Sequence, residues 1–392
     1  MAGAGSKNQF EVLYKFAGSP DGETPQGLIS RNGILYGATT YGGAYGFGTV
    51  FALTPPASAG EKWTETVLYS FGGVTDDGRY PFGSPAPGPG GVLYVTTAFG
   101  GHYGLGTVYQ LTPPAAPGDP WAATQIFYFY GGGVVSGYYP YQGVVVANTG
   151  ELYGVASQGG YGYYDYGTVF QLVPPASGSG LWNLGALYSF NGDGRDPAGI
   201  ILTPQGQIYG ATHFGGAYGA GTMFELATPP PSGSPWNQKL IYAFTGGGDG
   251  DVPSQPPVLA SNGALYGTTG AGGSAGNGTV YKLAPQPDGT WTETVIYSFS
   301  ASVDGKMPNS PLVIHNGIIY GATISGTTRD NAGGTVFELQ LSAAGWTEKI
   351  LHGFGAAAGP SGSLVVNGGF IYGTTASSPG ASGAGMVYRI KL

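Results

Sequence analysis

The chain has 392 residues, of which only 9% are charged, and it carries a formal net charge of −8 with 13 Lys and Arg in total. These basic residues are scattered singly, whereas binding to a phosphate backbone needs a basic patch, so nucleic acid is excluded as an expected partner. The absence of Cys excludes disulfides, thiolate metal sites and a cysteine nucleophile, and no apolar stretch approaches the ~20 residues of a membrane-spanning helix.

Composition also separates a folded chain from a disordered one. Gly (77) and Pro (30) are abundant, but 41% of the residues are hydrophobic and 14% are aromatic, which predicts a folded protein. Low charge with many Thr, Ser, Gly and Tyr is typical of extracellular surfaces. The start, MAGAGSK, lacks the basic and apolar regions of a secretory signal, so we expect residues 1–7 to be a leader added in cloning and residues 8–392 to form one domain.

The first predicted element is the segment FEVLYKF, which ends at Phe16 and recurs six more times. In each later copy a Trp is followed eight residues later by a Phe, and in the first copy Asn8 stands in the place of the Trp. The six pairs are Trp63 and Phe71, Trp121 and Phe129, Trp182 and Phe190, Trp236 and Phe244, Trp291 and Phe299, and Trp346 and Phe354.

Three further elements lie between successive copies of this segment, always in the same order. The first is a short apolar run such as GLIS, the second is a run such as NGILYGAT, and the third is a run such as GTVFAL. Each is short, rich in Val, Ile, Tyr, Phe and Thr, and bounded by Gly, Pro or Asn-Gly turn signals, which predicts β-strands. The tyrosines of the second element are Tyr36, Tyr94, Tyr153, Tyr209, Tyr266, Tyr320 and Tyr372.

Seven such units predict an all-β fold, a seven-bladed β-propeller with four antiparallel strands per blade. The chain opens with a lone outermost strand and its last unit lacks one, so we expect the amino-terminal strand to complete the last blade and close the ring. The predicted blades are residues 17–71, 72–129, 130–190, 191–244, 245–299, 300–354, and 355–392 together with 8–16.

The signature LYGAT, followed by a glycine-rich loop and GTVFxL, resembles the GloVer tandem repeat of large bacterial surface proteins of the choice-of-anchor type. The resemblance covers all seven units, with GTVF relaxed to GMVY in the last. It implies a bacterial tandem-repeat protein displayed at the cell surface, without an assigned activity. No signal precedes and no anchoring segment follows Leu392 in this sequence, so display would depend on a longer natural chain.

The loops between the second and third strands differ sharply around the predicted ring. Those of blades 1 to 4 carry eleven aromatic residues and those of blades 5 to 7 carry none. Because aromatic rings stack on sugar rings and planar ligands, we expect a carbohydrate-binding crescent on this face. The alternative is that the rings pack on glycine-rich neighbours. The residues are Tyr41, Tyr45, Phe47, Phe99, Tyr103, Tyr161, Tyr163, Tyr164, Tyr166, Phe214 and Tyr218.

A second pattern, Asp-Gly-x-x-Pro, follows the fourth strand of five units. Its carboxylates could bind calcium or act as catalytic acids, but the repetition favours a turn in which Asp caps and Gly supplies a positive φ. We therefore expect no cofactor, with calcium as the alternative. The aspartates are Asp21, Asp77, Asp193, Asp249 and Asp304. The positions that vary around the motif are Arg79, Tyr80, Tyr138, Tyr139, Tyr141, Arg195, Asp196, Asp251 and Lys306.

An enzymatic alternative rests on two histidines of the aromatic loops, His102 and His213. Either could serve a polysaccharide lyase with a nearby Tyr, and the charge-neutralising group would be Arg79 or Arg195. A glycoside hydrolase would instead use paired carboxylates, for which the candidates are Asp165 and Asp196. A structural or solvent-facing His is the simpler interpretation of both histidines.

These observations order three hypotheses. The first is an extracellular or surface-displayed monomer that binds a polysaccharide or another surface polymer through the aromatic crescent. The second is a polysaccharide lyase or glycoside hydrolase with its site on the same face. The third is a structural scaffold of a surface assembly. No catalytic motif stands out, which favours the first.

Overall fold

The structure, a computed structural model, describes residues 10–58, 60–116, 118–131, 137–160, 165–227, 236–326, 332–356, 359–377 and 383–392. Its strands form seven antiparallel sheets arranged in a ring, which confirms the predicted seven-bladed β-propeller. Within these ranges the one helical element is a 3₁₀ turn, Pro89–Gly91, and no helix is long and apolar enough to cross a membrane.

The strands are numbered in chain order. Each strand belongs to the same blade as its neighbours in sequence, except the first strand, which completes blade 7. That closing strand is β1 (Phe10–Lys15). Blade 1 contains β2 (Gly22–Arg31), β3 (Ile34–Gly42), β4 (Thr49–Thr54) and β5 (Thr64–Ser70). Blade 2 contains β6 (Gly78–Pro81), β7 (Ala86–Pro87), β8 (Leu93–Gly100), β9 (Thr107–Thr112) and β10 (Ala122–Tyr128). Blade 3 contains β11 (Val145–Val146), β12 (Leu152–Ala156), β13 (Thr168–Val173) and β14 (Asn183–Ser189).

The remaining four blades follow the same plan. Blade 4 contains β15 (Arg195–Leu202), β16 (Ile208–Phe214), β17 (Thr222–Leu226) and β18 (Gln238–Ala243). Blade 5 contains β19 (Asp251–Pro253), β20 (Val258–Leu259), β21 (Leu265–Ala271), β22 (Thr279–Pro285) and β23 (Trp291–Ser298). Blade 6 contains β24 (Lys306–Pro308), β25 (Val313–His315), β26 (Ile318–Ser325), β27 (Gly334–Ser342) and β28 (Gly345–Phe354). Blade 7 contains β29 (Pro360–Asn367), β30 (Phe370–Thr375) and β31 (Met386–Lys391).

The innermost strand is split into two short pieces in blades 2, 5 and 6. In these blades a proline, Pro85, Pro256 or Pro311, lies between the two pieces. Proline has no N–H to donate to a ladder, so the pairing with the second strand is interrupted there.

The repeated Phe of each outermost strand holds neighbouring blades together. Phe71 is fully buried, and its ring meets the ring of Tyr109 on β9 of the next blade edge to face, with 5.3 Å between centroids. The same contact joins Phe16 to Phe51 and Phe299 to Phe337, at 5.1 and 5.2 Å. Edge-to-face pairs add to the stability gained from the buried area alone.

The repeated Trp makes a second contact between blades, in the opposite direction around the ring. Trp121 of blade 2 meets Tyr36 of blade 1 at 6.1 Å, and Trp182 of blade 3 meets Tyr94 of blade 2 at 5.8 Å. The repeated aromatic residues therefore serve the packing of one blade on the next.

The glycine of the GTVF-like strands also has a role between blades. Gly48 has a φ of +99°, and a Cβ added to it would lie 2.6 Å from the ring of Pro81, which belongs to the Asp-Gly-x-x-Pro motif of the next blade. Only glycine combines this backbone conformation with so close an approach.

The ring closes as predicted, because β1 pairs with β31 as the outermost strand of blade 7. Glu11 lies opposite Arg389, whose guanidinium contacts the carboxylate at 2.7 Å and also lies over the ring of Phe370, 4.4 Å from its centre. The first and last strands of the chain are thereby fixed side by side.

Candidate functional site

The front face of the ring carries the loops between the second and third strands and the links from each outermost strand to the next blade. Here, directly before a proline, six blades hold a residue other than glycine in the left-handed conformation, with φ between 55° and 59°. Each donates its N–H to a loop carbonyl of the preceding blade, as Tyr80 does to Phe47 at 2.9 Å. The backbone conformation is the same in all six blades although the residue type differs, so the fold does not determine which side chain stands here. The six are Thr24, Tyr80, Tyr139, Asp196, Val252 and Met307.

The aspartates of the Asp-Gly-x-x-Pro motif are taken up by turn contacts. Asp77 is buried and accepts the N–H groups of Gly72, Gly73 and Gly78 at 2.7 to 3.0 Å, together with the hydroxyl of Tyr69. This is the turn role that sequence analysis favoured over a metal site or a catalytic acid. In the part of the chain that the structure describes, no group of three or more His, Asp or Glu residues is placed to hold a metal ion.

A continuous row of aromatic rings, named here the aromatic arc, crosses the front face from blade 1 to blade 3. Successive ring centroids are 4.9 to 6.1 Å apart. Tyr41 at its outer end is 45% exposed, and the other members are half-buried. The arc consists of Tyr41, Tyr80, Phe99, Tyr139, Tyr141 and Phe82, in that order of contact.

Three other predicted ligand residues, Tyr45, Tyr103 and Tyr218, lie at a larger radius. They are 55%, 55% and 66% exposed. The ring of Tyr45 lies against Gly73, and that of Tyr103 lies 5.9 Å from Tyr128 on the outermost strand of blade 2. The predicted crescent is therefore divided into an inner arc and separate outer tyrosines.

The other aromatic residues of these loops have structural contacts. Phe47 lies beneath the guanidinium of Arg79, 4.5 Å from its centre, and Phe214 lies beneath that of Arg195 at 4.9 Å. Tyr166 is half-buried against the core between blades 3 and 4. Tyr161, Tyr163 and Tyr164 lie outside the described residues.

A cavity of about 790 Å³ opens along the axis of the ring, lined by the innermost strands of all seven blades. Many of the polar side chains that line it form hydrogen bonds within the protein. Gln26 donates to Thr40 at 2.7 Å, Ser84 and Ser363 share a hydrogen bond of 2.6 Å, and Gln255 donates to the backbone carbonyl of Asn309 at 3.2 Å. These residues belong to blades 1, 2, 5, 6 and 7.

The side of the cavity formed by blades 3 and 4 differs, and it is named here the polar wall: Tyr141, Gln142, Asp196 and His213. Nδ1 of His213 lies 2.9 Å from the backbone carbonyl oxygen of Asp196 and 3.4 Å from its carboxylate. A carbonyl oxygen only accepts, so Nδ1 carries a proton, and in the neutral form of the ring Nε2 is then an acceptor. Burial, then Tyr139 and the Asp196 carboxylate, raise the pKa of Tyr141.

The candidate catalytic groups do not converge on one point. His102 is exposed and contacts Asp76 at 2.9 Å, and it is not among the residues that line the axial cavity. Asp165 is also exposed and accepts the hydroxyl of Tyr138 at 3.0 Å, whereas Asp196 faces the cavity. Of the catalytic candidates, the structure brings together only His213 and Asp196 at the cavity, with Arg195 beside them.

Sequence analysis missed part of this arrangement. It singled out Tyr80, Tyr139 and Tyr141 as variable positions without assigning them to the ligand site, and it passed over Phe82 and Gln142. All five lie within two residues of the proline that follows Asp77-Gly78 in blade 2 or Ser136-Gly137 in blade 3. Residues at or just after this proline line the axial cavity in every blade. Their position relative to the proline could therefore have identified them as candidate ligand residues.

Solved structures are similar to this chain in fold at low sequence identity. A puromycin-hydrolysing peptidase from Mycobacterium tuberculosis is 12% identical with a TM-score of 0.56, over 97% of this chain and 55% of that one. A provisionally assigned 6-phosphogluconolactonase from Bacteroides uniformis is 13% identical with a TM-score of 0.52, over 90% of this chain and 89% of that one. The present chain thus spans about half the length of the peptidase. At these identities the likeness concerns the fold alone.

Comparison at the level of sequence gives a more specific result. No curated protein matches the chain. The family profile of the Gloeobacter/Verrucomicrobia repeat matches residues 3–160, 85–236 and 230–392, which together cover nearly the whole sequence. This agrees with the resemblance carried by the LYGAT and GTVF-like strands, and the chain therefore belongs to the Gloeobacter/Verrucomicrobia repeat family.

Proposed function

We propose that this protein binds a polysaccharide or a similar surface polymer on its front face, outside the cell or at the cell surface. The observation that carries the proposal is the aromatic arc, an unbroken row of rings that leads from exposed Tyr41 to Tyr141 at the axial cavity. Rings arranged in this way offer apolar faces for stacking on successive sugars, and the tyrosine hydroxyls add hydrogen bonds. A cavity of this size also suits a ligand of a few rings.

Affinity electrophoresis in gels that contain single soluble polysaccharides tests the proposal. We expect retardation of the wild-type chain by at least one polymer, and a loss of about tenfold or more in affinity for Phe99→Ala and Tyr141→Ala, as for aromatic anchors in other interfaces. Tyr218→Ala is the matched control, because Tyr218 belongs to the same class of loop but lies outside the arc. Equal binding by all three variants would contradict the assignment of the arc.

Catalysis at the cavity is a second candidate, and one observation favours it. The Nδ1 contact of His213 with the Asp196 carbonyl leaves Nε2 as a proton acceptor at the cavity, with Tyr141 in the same wall. These are the groups that a lyase of acidic polysaccharides would use as base and acid. If it is correct, unsaturated products appear by ultraviolet absorbance, and His213→Ala abolishes their release while polymer binding persists.

A further inference from the structure

The polar wall differs from the rest of the cavity because several of its polar side-chain atoms have no hydrogen-bond partner within the described part of the chain. Elsewhere, side chains pair with one another or with backbone, as Ser84 does with Ser363. The side chain of Gln142, the hydroxyl of Tyr141 and Nε2 of His213 have no hydrogen-bond partner among the described residues. Polar groups at a cavity surface that are not used by the fold are available to a ligand.

The formal charge of the cavity lining is also confined to the polar wall. Asp196 is the only residue with a formal charge at neutral pH among the described residues that line the cavity. His213 is the one residue of the wall whose ring contacts this carboxylate, with Nδ1 3.4 Å from it. The neighbouring Arg195 is exposed, with its guanidinium over the ring of Phe214. The wall therefore presents a carboxylate in a cavity whose described lining contains no Lys or Arg.

The position of Asp196 is a variable one. Its counterparts in the other blades are Thr24, Tyr80, Tyr139, Val252 and Met307, all in the same left-handed conformation and all uncharged. Aspartate is thus not required by the backbone at this place, and its charge is a property of this blade alone among the six.

We propose that the polar wall binds a protonated primary amine, so that the polymer held on the aromatic arc is one with unacetylated amino sugars. The inference rests on the proposed polymer-binding function. An ammonium group has three N–H donors, and the wall offers three kinds of acceptor: the Asp196 carboxylate, Nε2 of His213 and the amide oxygen of Gln142. A hydrogen bond from an ammonium group to a carboxylate is charge-assisted and short. Tyr141 is common to the arc and the wall, so a sugar stacked on Tyr141 places its substituents at the wall.

Two tetrasaccharides that differ only in acetylation test the inference, the β-1,4-linked tetramers of glucosamine and of N-acetylglucosamine. Their affinities are measured by calorimetry at a pH where the amines are protonated. For the wild-type chain we expect about tenfold tighter binding of the glucosamine tetramer, the size of one charge-assisted hydrogen bond.

The variant Asp196→Asn is expected to remove this preference, because the amide keeps the shape without the charge and Asn tolerates the left-handed conformation. Asp251→Asn is the matched control: it removes the same charge from the same motif in blade 5, and Asp251 does not line the cavity. It should keep the preference, which separates the wall from the general attraction of a chain with net charge −8 for cations.

The outcomes separate the two proposals. If both tetramers bind equally and Phe99→Ala weakens both, the polymer-binding function stands and the amine inference is wrong. The amine inference is also wrong if Asp196→Asn keeps the preference or if Asp251→Asn loses it. If neither tetramer binds, the amine inference fails, and the polymer-binding function is decided separately by the electrophoresis with other polysaccharides.

Discussion

The hydroxyl of Tyr69 donates to both carboxylate oxygens of Asp77, at 3.1 and 3.0 Å, and so joins the outermost strand of blade 1 to the first turn of blade 2. Tyr14, Tyr188, Tyr242 and Tyr297 make the same contact with Asp21, Asp193, Asp249 and Asp304. The two units that lack the aspartate have Phe127 and His352 in place of the tyrosine. Tyrosine and aspartate thus occur together five times and are absent together twice, as expected of a pair that acts as one unit.

Tyr69→Phe should lower the free energy of unfolding by about 1.5 kcal/mol, because the buried carboxylate loses a donor but keeps its backbone N–H partners. Denaturant titration measures the change, and a double-mutant cycle with Asp77→Asn isolates the pair. Tyr128→Phe on the outermost strand of blade 2 is the control and should change stability by less than about 0.5 kcal/mol. Equal effects of the two variants would argue against a specific pair.

The hydroxyl of Tyr388 is buried and has no hydrogen-bond partner among the described residues. Blades 1, 3, 4 and 6 have Phe at this position of the third strand. Tyr388→Phe should therefore raise the free energy of unfolding by about 1 kcal/mol, since a buried group without a partner is removed and the shape is kept. Tyr109→Phe at the same position in blade 2 loses a hydrogen bond to Asp77 and should be destabilising. Thermal unfolding of the two variants in parallel would show shifts of opposite sign.

Three glutamates at one register position, Glu65, Glu293 and Glu348, should make stability depend on pH. Burial, followed by the nearby motif aspartate, raises the pKa of each from 4.5 to about 7. Between these pH values the native chain holds protons that the unfolded chain has released. The free energy of unfolding should then fall as the pH rises from about 4.5 to about 7, and level off above.

The triple variant with Gln at these three positions should lose that decline, as measured by urea unfolding at successive pH values. Blade 4 already carries the neutral residue at this position, Gln238, which shows that an amide fits opposite the buried leucine of the third strand. Persistence of the decline in the triple variant would assign it to other groups.

His352 should produce the opposite dependence at lower pH. Burial lowers its pKa from 6.5 to about 4, and its ring is stacked on Phe10 of the closing strand at 3.8 Å. The unfolded chain binds this proton below about pH 6.5 and the native chain does not, so this contribution to stability is lost as the pH falls from 6.5 towards 4. His352→Phe should remove the loss, which is best followed in the triple Gln background. A variant that still loses stability over this range would exclude His352 as the cause.

Sequence alone was sufficient for the fold because each repeated residue has a contact that recurs. Phe71, Trp121 and Gly48 each lie where one blade contacts its neighbour, so their spacing reflects the geometry of the ring. A pattern with a physical role in every unit can be recognised without knowing what the role is.

The candidate site could be predicted only in part, because the sequence does not reveal where each side chain of a front-face loop lies or in which direction it points. Tyr41 lies at the end of β3 and Tyr45 in the loop that follows, yet the first joins the aromatic arc and the second lies against Gly73. Four residues of spacing do not reveal such a difference in an irregular loop. The polar wall was harder still, because His213 and Asp196 meet through a backbone carbonyl that no side-chain pattern encodes.

The closing pair of β1 and β31 has a consequence for how the ring is assembled. The contact between Glu11 and Arg389 joins residues that lie 378 positions apart, so blade 7 gains its outermost strand only after all seven blades have been synthesised. Every blade boundary uses the same kind of aromatic contact, and a circular permutant could therefore move the seam to another boundary. Comparing the refolding rates of such permutants would show whether closure of blade 7 is the slow step. Equal rates would mean that the ring can be closed at any blade.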